Sequence, residues 1–316
     1  MALSFADYLA EVRPAVNDRI ETLVECHLQE PDLLPLLLKG KRLRGGLLLA
    51  VGETVAPGAR ECLLDLAAAI ELAHSASLIL DDMLDDDTTR RGVPSVHVQR
   101  GHKTAMLETI GVLSLPYTLA AAYGAEYVQE LAAVQRSMVS GVLSEIVKAP
   151  DLPATQVYHL VIGRKTGRLF GLAAQWGYRG VFQQDVGGSD RRWHRYGLHV
   201  GKAMQIADDI ADLKVIAEGK KGGFGSELLL LRCVNVERLV KEFFGDLKKG
   251  ELHLSKLRDL YSEQGLESSL AHVLDVELQK CDTALSAATR CSSHTVATEV
   301  LRSAPREIAD MMLAGN

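Results

Sequence analysis

Two short acidic runs in this chain end apolar stretches and share the spacing Asp-Asp-x-x-Asp. The first lies within LILDDMLDDDTTRRG, residues 78–92, and the second ends QIADDIAD, residues 205–212. Because each residue of a helix turns by about 100°, the first and last aspartates of the pattern lie one turn apart on nearly the same face. The pattern therefore predicts two one-sided carboxylate clusters, formed by Asp81, Asp82 and Asp85 and by Asp208, Asp209 and Asp212.

Both clusters call for cations, because close carboxylates repel one another and the C-terminal end of a helix disfavours anions further. Magnesium prefers oxygen ligands and is typically held by one or two carboxylates together with substrate phosphates. No paired histidines or cysteines lie near either run, which weighs against zinc or copper. The two runs predict Mg²⁺ sites, with Mn²⁺ as an alternative. For one run alone, a solvated acidic helix end is the competing interpretation.

Basic residues complete this pattern. KGKRLRGG spans residues 39–46, Arg90 and Arg91 follow the first acidic run, and Lys165 and Thr166 lie in GRKTGRLF. Guanidinium groups and lysine ammonium groups bind phosphate oxygens well. Any of these residues alone is typical of a surface charge. Together with two metal-type clusters, they predict diphosphate substrates held between Mg²⁺ and basic side chains.

The elements that must position these residues are predicted to be helices. Apolar residues recur at three- and four-residue spacing through most of the chain, and alternating strand-like runs are scarce. Residues 61–86, ECLLDLAAAIELAHSASLILDDMLDD, are apolar nearly all round, which indicates a buried central helix. No turn segment is long enough to be a linker between domains. We therefore predict an all-α helical bundle that forms a single domain over residues 1–316.

Composition restricts the class of protein further. The net charge of −6 over 316 residues gives no support to a nucleic-acid surface. The five cysteines are scattered without a CxxC pair, which argues against a zinc site or a disulfide framework and fits a reducing cytosol. The first residues carry acids and read as an amphipathic helix rather than a signal peptide. No stretch approaches the roughly 20 uncharged apolar residues of a membrane span. We expect a cytoplasmic protein.

Four segments, in order and with matching spacing, resemble the trans-isoprenyl diphosphate synthases, the family of farnesyl and geranylgeranyl diphosphate synthases. These segments are GKRLRGG (40–46), HSASLILDDMLDDDTTRRGVPSVH (74–97), GRKTGRLF (163–170) and VGKAMQIADDIADL (200–213). The resemblance covers roughly residues 35 to 225. It implies the all-helical isoprenoid synthase fold with a central active-site cavity, and usually a homodimer formed through the central helices.

The resemblance also implies a role for each matching residue. Those that would hold an allylic diphosphate through a trinuclear magnesium cluster are Asp81, Asp82, Asp85 and Asp208, with Asp209 and Asp212 in support. Those that would contact the same diphosphate directly are Arg90 and Lys165. Those that would bind isopentenyl diphosphate are Lys41, Arg44, His74 and Arg91. Gln205 and Thr166 would line the space between the two substrates, and Lys221 or its neighbour Lys220 would serve as the first of two lysines after the second acidic run.

The implied reaction explains why these residue types are needed. The allylic C–O bond ionises, and Mg²⁺ and arginine stabilise the charge that grows on the leaving diphosphate. Apolar helix walls exclude water, which would quench the carbocation. The double bond of isopentenyl diphosphate attacks the cation, and the family's accepted picture gives the released proton to the departing diphosphate. This chain-elongating prenyltransferase is the function that the resemblance implies.

Two alternatives are a class I terpene cyclase and a non-catalytic subunit of a heteromeric synthase. A cyclase has no use for the basic residues near Lys41, His74 and Arg91, and two intact acidic runs argue against a non-catalytic subunit. The chain also departs from the family pattern. Gly45 stands where proline is usual, and no Gly-Lys-x-Thr-x-Pro segment supplies the second lysine after the second acidic run.

Product length is predicted from the residues beneath Asp81. Ser77 and Ala73 follow at one-turn steps of roughly 5.4 Å, with Ala76 beside them, and all are small. In short-chain members of the family, an aromatic residue four or five positions before the first aspartate closes the pocket. The small residues therefore predict an open tunnel and geranylgeranyl diphosphate or a longer product, with farnesyl diphosphate as the runner-up. Close packing of two helices is the competing explanation. Candidates for the tunnel floor are Met106, Leu107, Ile110 and Tyr117.

Overall fold

The computed structural model describes residues 3–28, 33–90, 92–146, 154–182, 188–218, 226–231, 233–234, 265–290 and 296–315. Nearly all of these residues lie in helices, and the predicted all-α class is confirmed. The described β-structure is one antiparallel pair of two-residue strands, β1 (Thr89–Arg90) and β2 (Val93–Pro94). This short hairpin follows the first acidic run and turns the chain back toward it.

The described helices follow one another along the chain. They are α1 (Phe5–His27), α2 (Leu34–Leu38), α3 (Leu43–Val55), α4 (Arg60–Leu84), α5 (Val96–Arg100), α6 (His102–Ala121), α7 (Ala125–Ile146), α8 (Ala154–Ile162), a π-helix (Gly163–Gly167), α9 (Arg168–Phe182), α10 (Ser189–Ala217), α11 (Ser226–Leu231), α12 (Leu266–Ala288) and α13 (Val296–Leu313).

Helix α4 is the predicted central helix. Its consecutive alanines Ala67, Ala68 and Ala69 are fully buried, because neighbours cover the helix on every side. These neighbours are α1, α3, α6 and α9. Among the described helices, α4 alone has the length and apolar composition of a membrane span, and its sequence is mostly buried inside the protein. The burial identifies α4 as a core helix of the bundle.

Glycine residues let α9 and α10 pack closely. A Cβ atom at Gly197 would lie 2.2 Å from the backbone oxygen of Phe170, and one at Gly201 would lie 2.9 Å from the Cα atom of Gly167. Real side chains cannot occupy such positions without moving the backbone, so this contact requires glycine. The close packing fixes the second acidic run on α10 against the segment that contains Lys165 and Thr166.

Candidate active site

The first acidic run lies where α4 ends. Asp81 and Asp82 belong to the last turn of the helix, and Asp85 is its C-cap. The backbone N–H of Asp85 donates to the carbonyl of Asp81 over 2.9 Å, so these residues lie one turn apart, as the spacing predicts. Asp82 is buried, Asp81 is half-buried and Asp85 is exposed. Asp86 then adopts a left-handed conformation with φ of 53°, and the chain leaves the helix axis there.

Arg90 returns to this run from the hairpin. Its Nε lies 2.5 Å from Oδ1 of Asp82, and its Nη2 contacts the same oxygen. Nη2 also lies 3.7 Å from Asp81 and 3.5 Å from Asp87. Burial raises the pKa of Asp82, and the charge of Arg90 offsets part of that rise. The protein therefore supplies one cation of its own to a carboxylate cluster that would otherwise repel itself.

The second acidic run lies on α10 and separates into two faces. Asp208 and Asp212 are half-buried on one side, whereas Asp209 is turned into the interior. Oδ1 of Asp209 accepts hydrogen bonds from Gln205 (3.0 Å) and Ser226 (2.8 Å). Oδ2 accepts one from the Tyr158 hydroxyl (2.7 Å). Burial raises the pKa of Asp209 to about 8, although the three hydrogen bonds lower it.

Gln205 connects this run to the Lys-Thr segment. Its Oε1 accepts the hydroxyl proton of Thr166 over 2.6 Å, and its Nε2 faces Asp209 and, at 3.5 Å, Asp208. Thr166 and the half-buried Lys165 lie in the π-helix, a rare conformation that occurs frequently at functional sites. The structure thus brings together Thr166 and Gln205, which were predicted to line the same space.

The basic segment near residue 40 has different surroundings. The guanidinium of Arg44 lies over the ring of Phe170, with Cζ 4.5 Å from the centroid. Lys41 donates from Nζ to the backbone oxygen of Met311, 3.3 Å away, in the last turn of α13. That C-terminal carbonyl end favours a cation. His74 is half-buried on α4, seven residues before Asp81.

Glu71 is a buried acid of α4 that supports the basic segment near residue 40. Its Oε1 accepts the backbone N–H groups of Arg44 (3.0 Å) and Gly45 (2.8 Å) and so caps the N-terminus of α3. Its Oε2 lies 3.7 Å from Nη1 of Arg42, a buried residue in the left-handed conformation. In the sequence, an acid in an otherwise apolar helix was the available signal for this supporting role. Glu71 fixes the segment of Lys41 and Arg44 to the helix of the first acidic run.

The residues predicted to line a tunnel are in part buried. Ala73 and Ala76 are buried, and Ser77 is half-buried with its hydroxyl donating to the carbonyl of His74 over 2.7 Å. Three of the residues predicted to form the tunnel floor are on the surface of the chain: Met106, Leu107 and Ile110 are 55%, 70% and 61% exposed. The prediction that they close a tunnel inside a single chain is therefore wrong. Helix α6 turns its other face, including Ala105 and Val112, to the core. Tyr117 is partly buried and hydrogen-bonds Gln135.

A small pocket does open beside the first acidic run, on a different face of α4 from Ala73 and Ser77. Its lining residues are Leu36, Leu37, Ser75, Leu78, Ile79, Asp82 and Arg90. Helix α2 therefore forms part of the wall next to the Asp82–Arg90 pair. The predicted chain-length roles of Ala73, Ala76 and Ser77 stay predictions.

Residues 29–229 match the family model described as polyprenyl synthetase. This chain belongs to the polyprenyl synthetase family. It is 32% identical over 224 residues to geranylfarnesyl diphosphate synthase of Methanosarcina mazei, over 70% of this chain and 74% of that protein. It is 33% identical over 229 residues to geranylgeranyl diphosphate synthase of Pseudescherichia vulneris, over 67% of this chain and 70% of that protein.

Solved structures agree with the fold of a polyprenyl synthetase. A decaprenyl diphosphate synthase from Rhodobacter capsulatus matches with a TM-score of 0.76 at 21% identity, over 98% of each chain. A polyprenyl synthase from Caulobacter crescentus, solved with calcium and isoprenyl diphosphate, matches with a TM-score of 0.75 at 23% identity, also over 98% of each chain. The predicted family and the isoprenoid synthase fold are confirmed.

The donor set of this polyprenyl synthetase fits magnesium. All candidate ligands are carboxylates, in two groups on α4 and α10. Within the described ranges, no three acidic, histidine or cysteine side chains converge as a complete metal site. Magnesium prefers oxygen ligands and commonly completes its shell with water and substrate phosphates, so carboxylates are the protein ligands that match its chemistry. Asp85 is exposed and Asp81, Asp208 and Asp212 are half-buried, whereas Asp209 is buried and accepts three hydrogen bonds.

Two predicted substrate-binding residues of the polyprenyl synthetase, Arg91 and Lys221, lie outside the described residues. The departure at Gly45 has a local reason in the structure. Proline has no N–H group. The N–H group of Gly45 donates to Glu71, and a Cβ atom at Gly45 would lie 3.1 Å from Cγ of Glu71. Glycine at this position therefore permits both a hydrogen bond and a close approach that proline would change.

Proposed function

We propose that this polyprenyl synthetase is a magnesium-dependent trans-prenyltransferase that condenses an allylic diphosphate with isopentenyl diphosphate. The observation that carries the proposal is the contact of Arg90 with Asp81 and Asp82 at the end of α4. This contact puts a phosphate-binding guanidinium beside carboxylates of the type that hold Mg²⁺. We further propose that the chain acts as a single domain in the cytoplasm and binds no nucleic acid.

The residues of the chain have separate tasks in this reaction. Mg²⁺ held by Asp81, Asp85 and Asp208 would supply Lewis-acid stabilisation of the leaving diphosphate, in a cluster of three ions. Arg90 shares its guanidinium between Asp82 and the diphosphate, and Lys165 adds a second positive charge. Burial of the apolar α4 face keeps water away from the carbocation.

The second substrate is assigned to the basic residues of the segment near residue 40 and to His74 on α4. Lys41, Arg44 and His74 bind the diphosphate of isopentenyl diphosphate, with Arg91 as a further contact. For Lys41 this requires its ammonium group to donate both to the carbonyl of Met311 and to the diphosphate. Glu71 supports this site because it holds the backbone at Arg44 and Gly45.

We propose geranylgeranyl diphosphate or a longer product. The small side chains of Ala73, Ala76 and Ser77 leave no aromatic barrier beneath Asp81. The relatives named above are a geranylfarnesyl and a geranylgeranyl diphosphate synthase, which supports a long product. Farnesyl diphosphate is the alternative, and it would require a barrier from a neighbouring helix.

We also propose a homodimer. Large apolar side chains are exposed on helices that pack against one another: Leu84 on α4, Met106, Leu107 and Ile110 on α6, and Val139 and Leu143 on α7. We call this set the α6–α7 apolar face. Several exposed apolar side chains on adjacent helices are typical of a protein–protein interface. A second copy of the chain would cover them.

One incubation tests the reaction. The pure protein is mixed with Mg²⁺, radiolabelled isopentenyl diphosphate and each allylic diphosphate in turn. Chain-extended diphosphates are the expected products. A hydrocarbon or an alcohol formed from the allylic substrate alone would instead identify a terpene cyclase. No turnover with any substrate would favour the non-catalytic subunit.

A further inference from the structure

We infer that Tyr158 and Ser226 are positioning residues that hold the second acidic run through Asp209. They set the orientation of Gln205 and Thr166 between the two substrates. The inference deepens the proposed function and rests on it for the identity of those substrates. Neither residue belongs to any of the four segments that carry the family resemblance.

Asp209 is the point where three helices meet. Tyr158 comes from α8, Ser226 is the first residue of α11, and Asp209 itself lies on α10. All three side chains are buried, so no bulk water competes for these hydrogen bonds. Both oxygens of Asp209 are engaged by hydroxyl or amide donors at 2.7–3.0 Å. A carboxyl group held in this way cannot rotate without breaking a buried hydrogen bond.

This fixed carboxylate decides how Gln205 is oriented. The NH₂ group of an amide donates and its oxygen accepts. Since Nε2 of Gln205 donates to Asp209, its Oε1 must point the other way, where it accepts the hydroxyl proton of Thr166. Because the hydroxyl proton of Thr166 is donated to Gln205, the hydroxyl oxygen can only accept further hydrogen bonds. Thr166 therefore donates to Gln205, and Gln205 donates to Oδ1 of Asp209. Tyr158 donates to the other oxygen of Asp209, Oδ2.

The chain of hydrogen bonds reaches residues predicted to bind substrate. Asp208 directly precedes Asp209 in the sequence, and Lys165 directly precedes Thr166 in the π-helix. Loss of the Tyr158 hydroxyl would leave Oδ2 of Asp209 buried without its donor. The carboxylate would then rotate or bind elsewhere, and the amide of Gln205 would no longer have a unique orientation. Tyr158 therefore acts on Thr166 through two intervening side chains, those of Asp209 and Gln205.

Tyr158→Phe tests this role, with Tyr196→Phe as the matched control. Tyr196 is also fully buried, and its hydroxyl donates to the backbone oxygen of Leu301 over 2.5 Å. Both variants lose one buried hydroxyl, so a purely structural role predicts similar effects. We expect Tyr158→Phe to lower kcat by about 10-fold or more, as is typical when a partner behind a metal or substrate ligand is removed. Tyr196→Phe should keep the wild-type kcat.

A second measurement does not depend on turnover. Inorganic diphosphate with Mg²⁺ should raise the melting temperature of the wild type, and the Mg²⁺ concentration needed for half of this shift should increase in Tyr158→Phe but not in Tyr196→Phe. Ser226→Ala should behave as Tyr158→Phe does, and Ser226→Thr, which keeps the hydroxyl, should recover most of the shift. The serine pair keeps the inference testable even where Tyr158→Phe folds poorly.

The outcomes separate the inference from the proposed function. Equal behaviour of Tyr158→Phe and Tyr196→Phe in both measurements, in a protein that elongates prenyl chains, would overturn the inference alone. A wild type that makes no chain-extended product, yet loses its diphosphate response on Tyr158→Phe, would overturn the proposed reaction and support the positioning role.

Discussion

The guanidinium of Arg90 binds the buried carboxylate of Asp82 through two nitrogens, with Nε 2.5 Å from Oδ1. The pair joins the end of α4 to the first strand of the hairpin, eight residues further along the chain. It explains how adjacent aspartates coexist before a substrate arrives, because the chain carries a counterion for them. It also places an arginine beside the carboxylates that we propose as Mg²⁺ ligands.

The first prediction concerns this pair. Arg90→Leu leaves Asp82 buried without its cation, and breaking a buried ion pair from one side typically costs about 3–5 kcal/mol. We expect the free energy of unfolding, measured with urea, to fall by that order. Excess Mg²⁺ should restore part of it, because the neighbouring Asp81 and Asp85 are proposed to bind the metal, whose charge would replace that of Arg90 beside Asp82. A loss that Mg²⁺ leaves entirely unchanged would argue that these carboxylates do not bind it.

An exposed ion pair provides the control for Arg90→Leu. Arg306 and Asp275 lie 2.8 Å apart with side chains 56% and 51% exposed. Exposed pairs contribute at most about 1 kcal/mol. Arg306→Leu should therefore change the stability little, with or without Mg²⁺.

The second prediction concerns the metal. Activity should require Mg²⁺ or Mn²⁺, and Asp81→Ala or Asp208→Ala should lower kcat by orders of magnitude while the circular dichroism spectrum stays helical. The reason is that both residues lie on the accessible faces of their acidic runs. Asp275→Ala, on the surface of α12, should keep full activity. Full activity in excess chelator would exclude the metal requirement.

Helix periodicity explains why the sequence was enough to predict the one-turn spacing of the aspartates in each acidic run. The spacing of Asp81 and Asp85 was enough to place them one turn apart, because local hydrogen bonds alone fix that relation. The same spacing could not show that Asp209 faces Tyr158 and Ser226, because those partners come from separate helices. The contact of Lys41 with Met311 joins residues 270 positions apart and has no local signal.

The apolar pattern of α6 shows a second limit. The apolar character of Met106, Leu107 and Ile110 suggested a place inside the chain, but α6 buries a different face against its own chain. A sequence does not distinguish an apolar face that packs internally from one that packs on another subunit.

The third prediction tests such a partner. The α6–α7 apolar face should be buried in a homodimer, so sedimentation at micromolar concentration should give a mass near twice 34.4 kDa. Leu107→Glu, which puts a charge in the face, should shift the protein toward the monomer. Val98→Glu, at an exposed apolar residue on α5, is the matched control and should keep the dimer. A monomeric wild type would count against the homodimer.

The fourth prediction concerns acid stability. Burial would raise the pKa of Glu277, but hydrogen bonds from His199 (2.7 Å) and Lys280 (2.8 Å) outweigh burial and lower it to about 2 from an ordinary 4.5. A carboxylate with a lowered pKa stabilises the folded state above its unfolded pKa, and this stability is lost as the pH falls through the folded pKa. The contribution of Glu277 should therefore disappear between about pH 4.5 and pH 2.

Glu277→Gln tests this contribution by urea unfolding across that range. The variant should be less stable than the wild type at neutral pH, and the difference should shrink as the pH falls below 4.5. Asp275→Asn, two positions earlier on α12 and half-exposed, should show a much smaller pH-dependent difference. A difference between Glu277→Gln and wild type that is constant with pH would contradict the ion-pair explanation.

The last prediction concerns product length. If the growing chain runs along the Ser77 and Ala73 face of α4, Ser77→Phe should place a ring about one turn beneath Asp81 and shorten the product. Each further methylene buried in an open apolar tunnel gains roughly 0.8 kcal/mol, so elongation continues until the tunnel is filled or blocked. Ala76→Phe should act similarly, although Ala76 is already fully buried and the ring must displace its neighbours.

Ser77→Ala is the control. It removes the hydrogen bond to the His74 carbonyl but leaves the tunnel open, so its products should match those of the wild type. The products are separated by chromatography. An active Ser77→Phe variant with wild-type products would place the chain elsewhere, and the pocket beside Ser75 and Leu78 would then be the next path to block.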